Sequence, residues 1–176
     1  ARNGCLPHLS HPYFSMERYK KRIADSILQR KLQGKGAVLV EGPKWCGKTT
    51  TAKQQAKSAL DLGDTSVLKQ SAQLIEINPQ SLLDGETPRL IDEWQTLPSI
   101  WDSIRSEVDR RGVPAQFVLT GSSVLPDAGE TIHSGTGRFA HIRMRPMSLF
   151  ESGESTGTVS LQDLFEGKEP TVQKNE

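Results

Sequence analysis

The sequence predicts an α/β domain in which a parallel sheet carries helices on both faces. Three observations lead there. The short apolar runs Ala37-Val38-Leu39-Val40, Leu90-Ile91 and Phe117-Val118-Leu119 lack the alternation of a half-exposed strand, so they read as strands covered on both sides. Segments with a period of three to four residues lie between them. The first run opens into a glycine-rich loop followed by a stretch free of Gly and Pro, and the second ends in two adjacent acids.

The size of the chain agrees with one such domain. At 176 residues it can bury roughly two thirds of the surface of its unfolded form, which suffices for a single core and not for two full domains. With 35% hydrophobic and 24% charged residues, 15 Gly and 10 Pro, collagen, coiled-coil and wholly disordered architectures are excluded. The longest aliphatic run falls far short of the roughly twenty residues that span a bilayer, and the first residues have no apolar signal core. Cys5 and Cys46 cannot form a disulfide framework and suit a reducing compartment, so a soluble, cytoplasmic protein is expected. A net charge of +1 leaves nucleic acid unsupported as a partner. The start at Ala1 rather than Met reads as that of a fragment or processed product.

Residues 1–15, with Pro7, His8 and Pro12, show no sustained period and read as a flexible arm. Met16, Tyr19, Ile23 and Ile27 then recur three or four apart and predict a helix to about Leu32. Lys20, Lys21, Arg22 and Arg30 would form its basic, solvent-facing side. Gly34 and Gly36 end it, the first strand follows, and residues 50–58 continue the loop as a helix. Residues 59–62 suggest a short strand, Val67, Leu68, Ala72, Leu74 and Ile75 a helix, and Asn78-Pro79 the start of another that reaches Leu83. After the acidic strand, Pro98 opens a helix with Ile100, Trp101, Ile104 and Val108 on one face, and Gly112 closes it. The third buried strand stops at Gly121. Beyond a loop through Pro126 and Gly129, residues 140–145 alternate, with Ala140, Ile142 and Met144 opposite His141, Arg143 and Arg145. Gly, Ser, Thr and charge dominate residues 152–176, apart from Leu161, Leu164 and Phe165, so this end reads as a linker or tail. The main domain is placed at 16–151.

Chemistry concentrates in the loop. Gly42-Pro43-Lys44-Trp45-Cys46-Gly47-Lys48-Thr49 matches G-x-x-x-x-G-K-T at every fixed position, and Thr50 follows. Its glycines let backbone N–H groups converge on phosphate oxygens, Lys48 reaches the β- and γ-phosphates, and the Thr49 hydroxyl completes a magnesium shell. Asp92 is placed to hold that magnesium through its waters, and Glu93 to orient and deprotonate an attacking water. Thr120, with Ser122 second, is the polar group at the end of the neighbouring strand that could contact phosphate or water. Arg138, after Gly135-Thr136-Gly137, could stabilise charge on a transferring phosphate, within the chain or across an interface. Arg143 and Arg145 read as surface residues. Cys5, His8 and His11 have a metal-like spacing without a fourth ligand, which argues against zinc. Cys46, beside Lys48, reads as a reactive thiol whose alkylation would block nucleotide binding. Trp45 is expected to lie across the loop's outer surface.

The segments VEGPKWCGKTTTA, PRLIDEWQ, FVLTGSS and HSGTGRFAHIRMRPMSLFESGES resemble those of the bacterial and archaeal AAA-superfamily ATP-binding domains whose longer members carry a C-terminal domain of unknown function. The resemblance runs from Tyr19 to about Phe165. It implies a P-loop NTPase sheet of order 5-1-4-3-2, ATP with Mg2+, Lys48, Thr49, Asp92 and Glu93 in the roles above, Thr120 as polar sensor and Arg138 as the family's arginine. Longer relatives continue into a winged-helix-like segment and a nuclease-like domain, so a chain ending at Glu176 is expected to turn over slowly or not at all. The expected function is a magnesium-dependent ATPase that converts binding and hydrolysis into a conformational signal for a protein partner or effector domain outside this chain, as a homo-oligomer or alone. A non-catalytic, nucleotide-gated binding module is the alternative. A small-molecule kinase is disfavoured by the paired acids, and GTP by the lack of an Asn-Lys-x-Asp motif.

Overall fold

The computed structural model describes residues 19–122 and 137–169. In chain order these form α1 (Ile23–Gly34), β1 (Ala37–Glu41), α2 (Lys48–Lys53), β2 (Ser58–Asp61), α3 (Thr65–Ile77), α4 (Pro79–Leu83) and β3 (Arg89–Asp92), then α5 (Ile100–Arg111), β4 (Phe117–Gly121), β5 (Phe139–Arg143), α6 (Leu149–Ser152) and α7 (Leu161–Phe165). The five strands are all parallel and ordered β2-β3-β4-β1-β5, which is the expected 5-1-4-3-2 read from the other edge.

Pleating explains why the central strands are apolar throughout. Ala37, Leu39, Ile91, Phe117 and Leu119 point to one face, where α5 lays Ile100, Trp101, Ile104 and Val108 over them, with Leu82 and Leu83 of α4. Val38, Val40, Leu90, Val118 and Ile142 point to the other, against Leu28 and Leu32 of α1 and Ala52 of α2. Trp101 stacks on Phe139 at 4.4 Å between ring centres and meets Trp94 at 4.9 Å. On α5 itself, Gly112 in the left-handed region (φ 65°) returns its N–H to the Val108 carbonyl and stops the helix where the sequence predicts.

Three boundaries differ from the sequence expectation. Helix α1 begins at Ile23, and the four residues before it are not helical; Met16 lies outside the described residues. The Asp25 carboxylate accepts the Arg22 N–H at 2.7 Å and fixes this start. Arg22 is consequently buried, at 6% exposure, rather than part of a solvated basic face. Helix α2 stops at Lys53 instead of continuing to Ser58, because the chain must turn back there: the Lys57 N–H bonds the Pro88 carbonyl and Ser58 opens β2. Two short helices stand where no helix is expected, α6 at the junction with the tail and α7 within it. Phe165 of α7 is 90% exposed and Leu161 is exposed with it. The Pro126–Gly129 loop and the arm with Cys5, His8 and His11 lie outside the described residues.

A buried carboxylate ties stability to pH. Glu107 on α5 accepts from Arg110 at 2.6 and 2.7 Å and from Arg111 at 2.5 Å, and these bonds hold its pKa at about 2 against the opposing effect of burial. Because the folded pKa lies below the ordinary value of 4.5, the stabilisation is complete above pH 4.5 and is lost as pH falls toward 2. Glu107→Gln should therefore lower unfolding free energy at pH 7 by roughly 2 kcal/mol. Urea titrations of both proteins should converge as the pH approaches 2; a difference independent of pH would contradict this origin.

Candidate functional site

The register brings the strand ends to one edge: Val40 lies beside Thr120 and Ile91 beside Leu119, so the loop after β1, the acids at the end of β3 and the hydroxyl of β4 converge. This is where an open parallel sheet presents groups to a ligand. The loop begins with a steric requirement. A Cβ at Gly42 would stand 2.4 Å from the Met144 carbonyl oxygen, so no other residue fits without moving β5. Two left-handed residues then shape the curve, Trp45 (φ 67°) and Gly47 (φ 94°).

Within the loop the side chains divide. Pro43, Lys44 and Trp45 face outward, and Trp45 is 99% exposed, standing free of the loop rather than lying across it. Cys46 turns inward at 4% exposure, packs with the core of α1 and β1, and directs its thiol to the Met144 carbonyl at 4.0 Å. It is a buttress beneath the loop, so the expectation of a thiol open to alkylation is corrected: reagent cannot reach it without opening the core. Lys48 arches back, its ammonium donating to the Gly42 and Pro43 carbonyls at 3.0 Å each. Thr50 lines a groove of about 350 Å³ beside the loop, walled also by Tyr19, Trp45, Pro146 and Met147.

Asp92 is the hub of the site. One carboxylate oxygen accepts the Thr49 hydroxyl at 2.9 Å and the Thr120 hydroxyl as well. The group is 6% exposed, and burial pushes its pKa up, aided by the nearby Asp61 and Glu93 charges and opposed by the two hydroxyls. A hydroxyl and a carboxylate with excess negative charge form an oxygen donor set of the kind that Mg2+ accepts, so the residues fit that ion. Glu93 follows in the left-handed region (φ 53°), which swings its side chain away from the strand. The Gln95 amide donates to the Glu93 carboxylate and reaches the Ser122 hydroxyl at 3.5 Å. Gly121 makes room for it, since a Cβ there would meet the Gln95 carbonyl oxygen at 2.5 Å.

Arg138 is not brought to this edge. It precedes Phe139, which pairs with Ala37 at the opposite end of β1, and its guanidinium bonds Asp109 of α5 at 2.5 Å. Level with Gly36 in the register, it lies six strand steps of about 3.3 Å, roughly 20 Å, from Gly42 at the start of the loop. The within-chain role considered for Arg138 is thereby corrected. His141 lies 3.6 Å from Glu41 across the β5–β1 pair, and the side chains of Arg143 and Arg145 are exposed, as expected.

Sequence reasoning missed several residues here. Gln95 carries no signal beyond following Asp-Glu-Trp. Arg22 reads as solvent-facing in the sequence, yet its guanidinium binds the loop. Tyr19 donates to Asp25 at 2.5 Å and meets Thr51 at 3.2 Å, and burial together with the Asp25 bond raises its pKa to about 12. Ser148-x-x-Glu151 is a capping box legible in sequence, and α6 forms on it.

A parallel sheet with this loop, this lysine and these acids at its edge defines a P-loop nucleotide-binding domain. A family model described as "AAA domain" matches residues 34–152, and the chain belongs to that family. It therefore carries an AAA-type, ATPase-like domain that binds nucleotide. An uncharacterized protein of Mycobacterium bovis and another of Mycobacterium tuberculosis are each 30% identical to it over 138 residues, covering 77% of this chain and 31% of the relative. The chain thus spans about a third of the length of the curated relatives it matches. Among the described residues no helix is long and apolar enough to cross a membrane.

Proposed function

We propose that the chain binds ATP with Mg2+ and hydrolyses it to ADP and phosphate, passing the change to a partner. The observation that carries this reading is the convergence of the Thr49 and Thr120 hydroxyls on Asp92 at the foot of the loop, with Glu93 adjacent. In this proposal the loop N–H groups from Gly42 to Thr50 cradle the phosphates, and Lys48 leaves its two carbonyls for the β- and γ-oxygens. Thr49 and Asp92 would hold the magnesium ion, which when bound neutralises charge on the phosphates. Glu93 takes a proton from water as the water oxygen attacks the γ-phosphorus; the bond to the β–γ bridging oxygen breaks, and its electron pair leaves with ADP. Thr120, and Ser122 through Gln95, would report the γ-phosphate to β4. The groove beside Tyr19 and Met147 would take the base.

Residues 16–151 would form the working domain, with 152–176 leading toward the partner. The exposed apolar side chains of Leu149, Phe150 and Phe165 support a protein partner there. The position of Arg138 favours one variation. In a lone chain Arg138 lies at the end of the sheet away from the loop, so the isolated protein would act as a nucleotide-gated binding module, and hydrolysis would need a second copy offering Arg138.

Trp45 provides the assay, since it is fully exposed on the loop while Trp94 and Trp101 are buried. Titration with Mg-ATP should change its fluorescence saturably, followed by phosphate release whose specific activity rises with protein concentration. No saturable response at millimolar Mg-ATP would overturn the assignment. Binding with an activity independent of concentration would leave Arg138 without a role.

A further inference from the structure

Arg22 joins three parts of the molecule through one buried guanidinium. Its Nη1 donates to the Cys46 carbonyl of the loop at 2.8 Å, its Nη2 to the Arg145 carbonyl beyond β5 at 2.9 Å, and its Nε to Glu151 of α6 at 3.0 Å. Glu151 is built to receive it. Burial would raise its pKa, but the N–H groups of Ser148 and Ile23, the Arg22 guanidinium and the Ser148 hydroxyl outweigh burial and hold it at about 2. The ion pair is almost closed to solvent, with the two side chains 6% and 8% exposed.

We propose that Arg22 is a positioning residue for the phosphate loop, held in place by Glu151. In a trans peptide the carbonyl and the following N–H point in opposite directions. Drawing the Cys46 carbonyl onto Arg22 therefore turns the Gly47 N–H away from Arg22, and the left-handed Gly47 permits that plane. The contact is close: a Cβ on Gly47 would stand 3.0 Å from Nη1. Without the guanidinium, the Cys46–Gly47 peptide is free to rotate and must be ordered at the expense of anion affinity. Lysine cannot replace it, because one ammonium on a flexible stem does not span acceptors fixed on three elements. The same fork ties the loop to α6, so a change in the loop is felt at the start of the C-terminal segment.

This inference rests on the proposed nucleotide site, and the test separates the two. Calorimetric titrations of the full chain with Mg-ATP and with inorganic pyrophosphate, which has no base, are run beside thermal unfolding. Arg22→Lys should weaken both ligands by about tenfold or more, the loss of a charged hydrogen bond to the loop. Glu151→Gln should weaken them by a smaller factor in the same direction. Glu107→Gln, destabilised at a site remote from the loop, should leave pyrophosphate affinity unchanged, so that lower stability alone cannot explain the effect. In Arg22→Ala, added ethylguanidinium should restore pyrophosphate binding while leaving the wild type unaffected. If Arg22→Ala does not fold, Arg22→Lys and Glu151→Gln carry the comparison. Pyrophosphate affinity within about threefold of wild type in a folded Arg22→Lys protein would overturn the positioning role. A wild type that binds neither ligand would overturn the nucleotide site itself.

Discussion

Glu93→Gln should leave Mg-ATP bound while phosphate release falls by about 10² to 10⁴-fold, the usual scale of a general base. The substitution keeps the shape of the side chain, its left-handed backbone position and an oxygen that can accept the Gln95 amide. It removes the basic oxygen that would take the proton from water. Neither the loop, Lys48 nor the Thr49–Asp92 pair is touched, so affinity should change little. Single-turnover phosphate release measured beside Trp45 fluorescence separates the two quantities. Equal release in wild type and variant would sink the assignment of Glu93 and, with it, the hydrolytic reading.

Asp92→Asn is expected to raise stability and weaken the magnesium-dependent step, two effects of opposite sign at one position. The folded protein pushes the Asp92 pKa upward, first through burial and then through the neighbouring Asp61 and Glu93 charges. At neutral pH the ionised group therefore costs folding free energy, and an uncharged isostere removes that cost. The asparagine carbonyl oxygen can still accept from Thr49 and Thr120, so the hydrogen bonds that join the strand ends persist. A gain of about 1 kcal/mol, or a Tm rise of roughly 2 to 4 °C, is the expected scale. The strengthening of ATP binding by Mg2+ should fall about a hundredfold, since a neutral amide replaces the charged ligand. A lower Tm in the variant would mean that the carboxylate is structural, and would contradict the account of its burial.

Much of the architecture was legible because it is written in contiguous residues. Continuous apolar runs marked strands covered on both faces, and Gly112 ended its helix by a local backbone preference. The boundaries that failed were set at long range. Nothing near Met16 announces that residues 19–22 stay out of the helix, because the Cys46 and Arg145 carbonyls that order Arg22 belong to the folded state. Likewise α2 looks free to continue past Lys53 until the pairing of Ser58 with Arg89 draws the chain into β2. A basic residue that follows two lysines is solvent-facing by every local signal, and only its burial against Glu151 says otherwise.

By itself, the sequence determined the strand–loop–helix unit, the paired acids and hence the class of ligand, since these follow from residue types at short spacing. The tertiary structure alone decided which groups share a site. Parallel register carried Thr120 to Asp92 and put Arg138 at the far end of the same sheet, although the two lie on adjacent elements in the chain. Burial turned Cys46 from an apparent reagent into a buttress and Arg22 from a surface charge into a clamp on the loop. The physical reason is common to all four: exposure, register and hydrogen-bond partners are properties of residues far apart in sequence, and they exist only once the sheet and its two cores have formed.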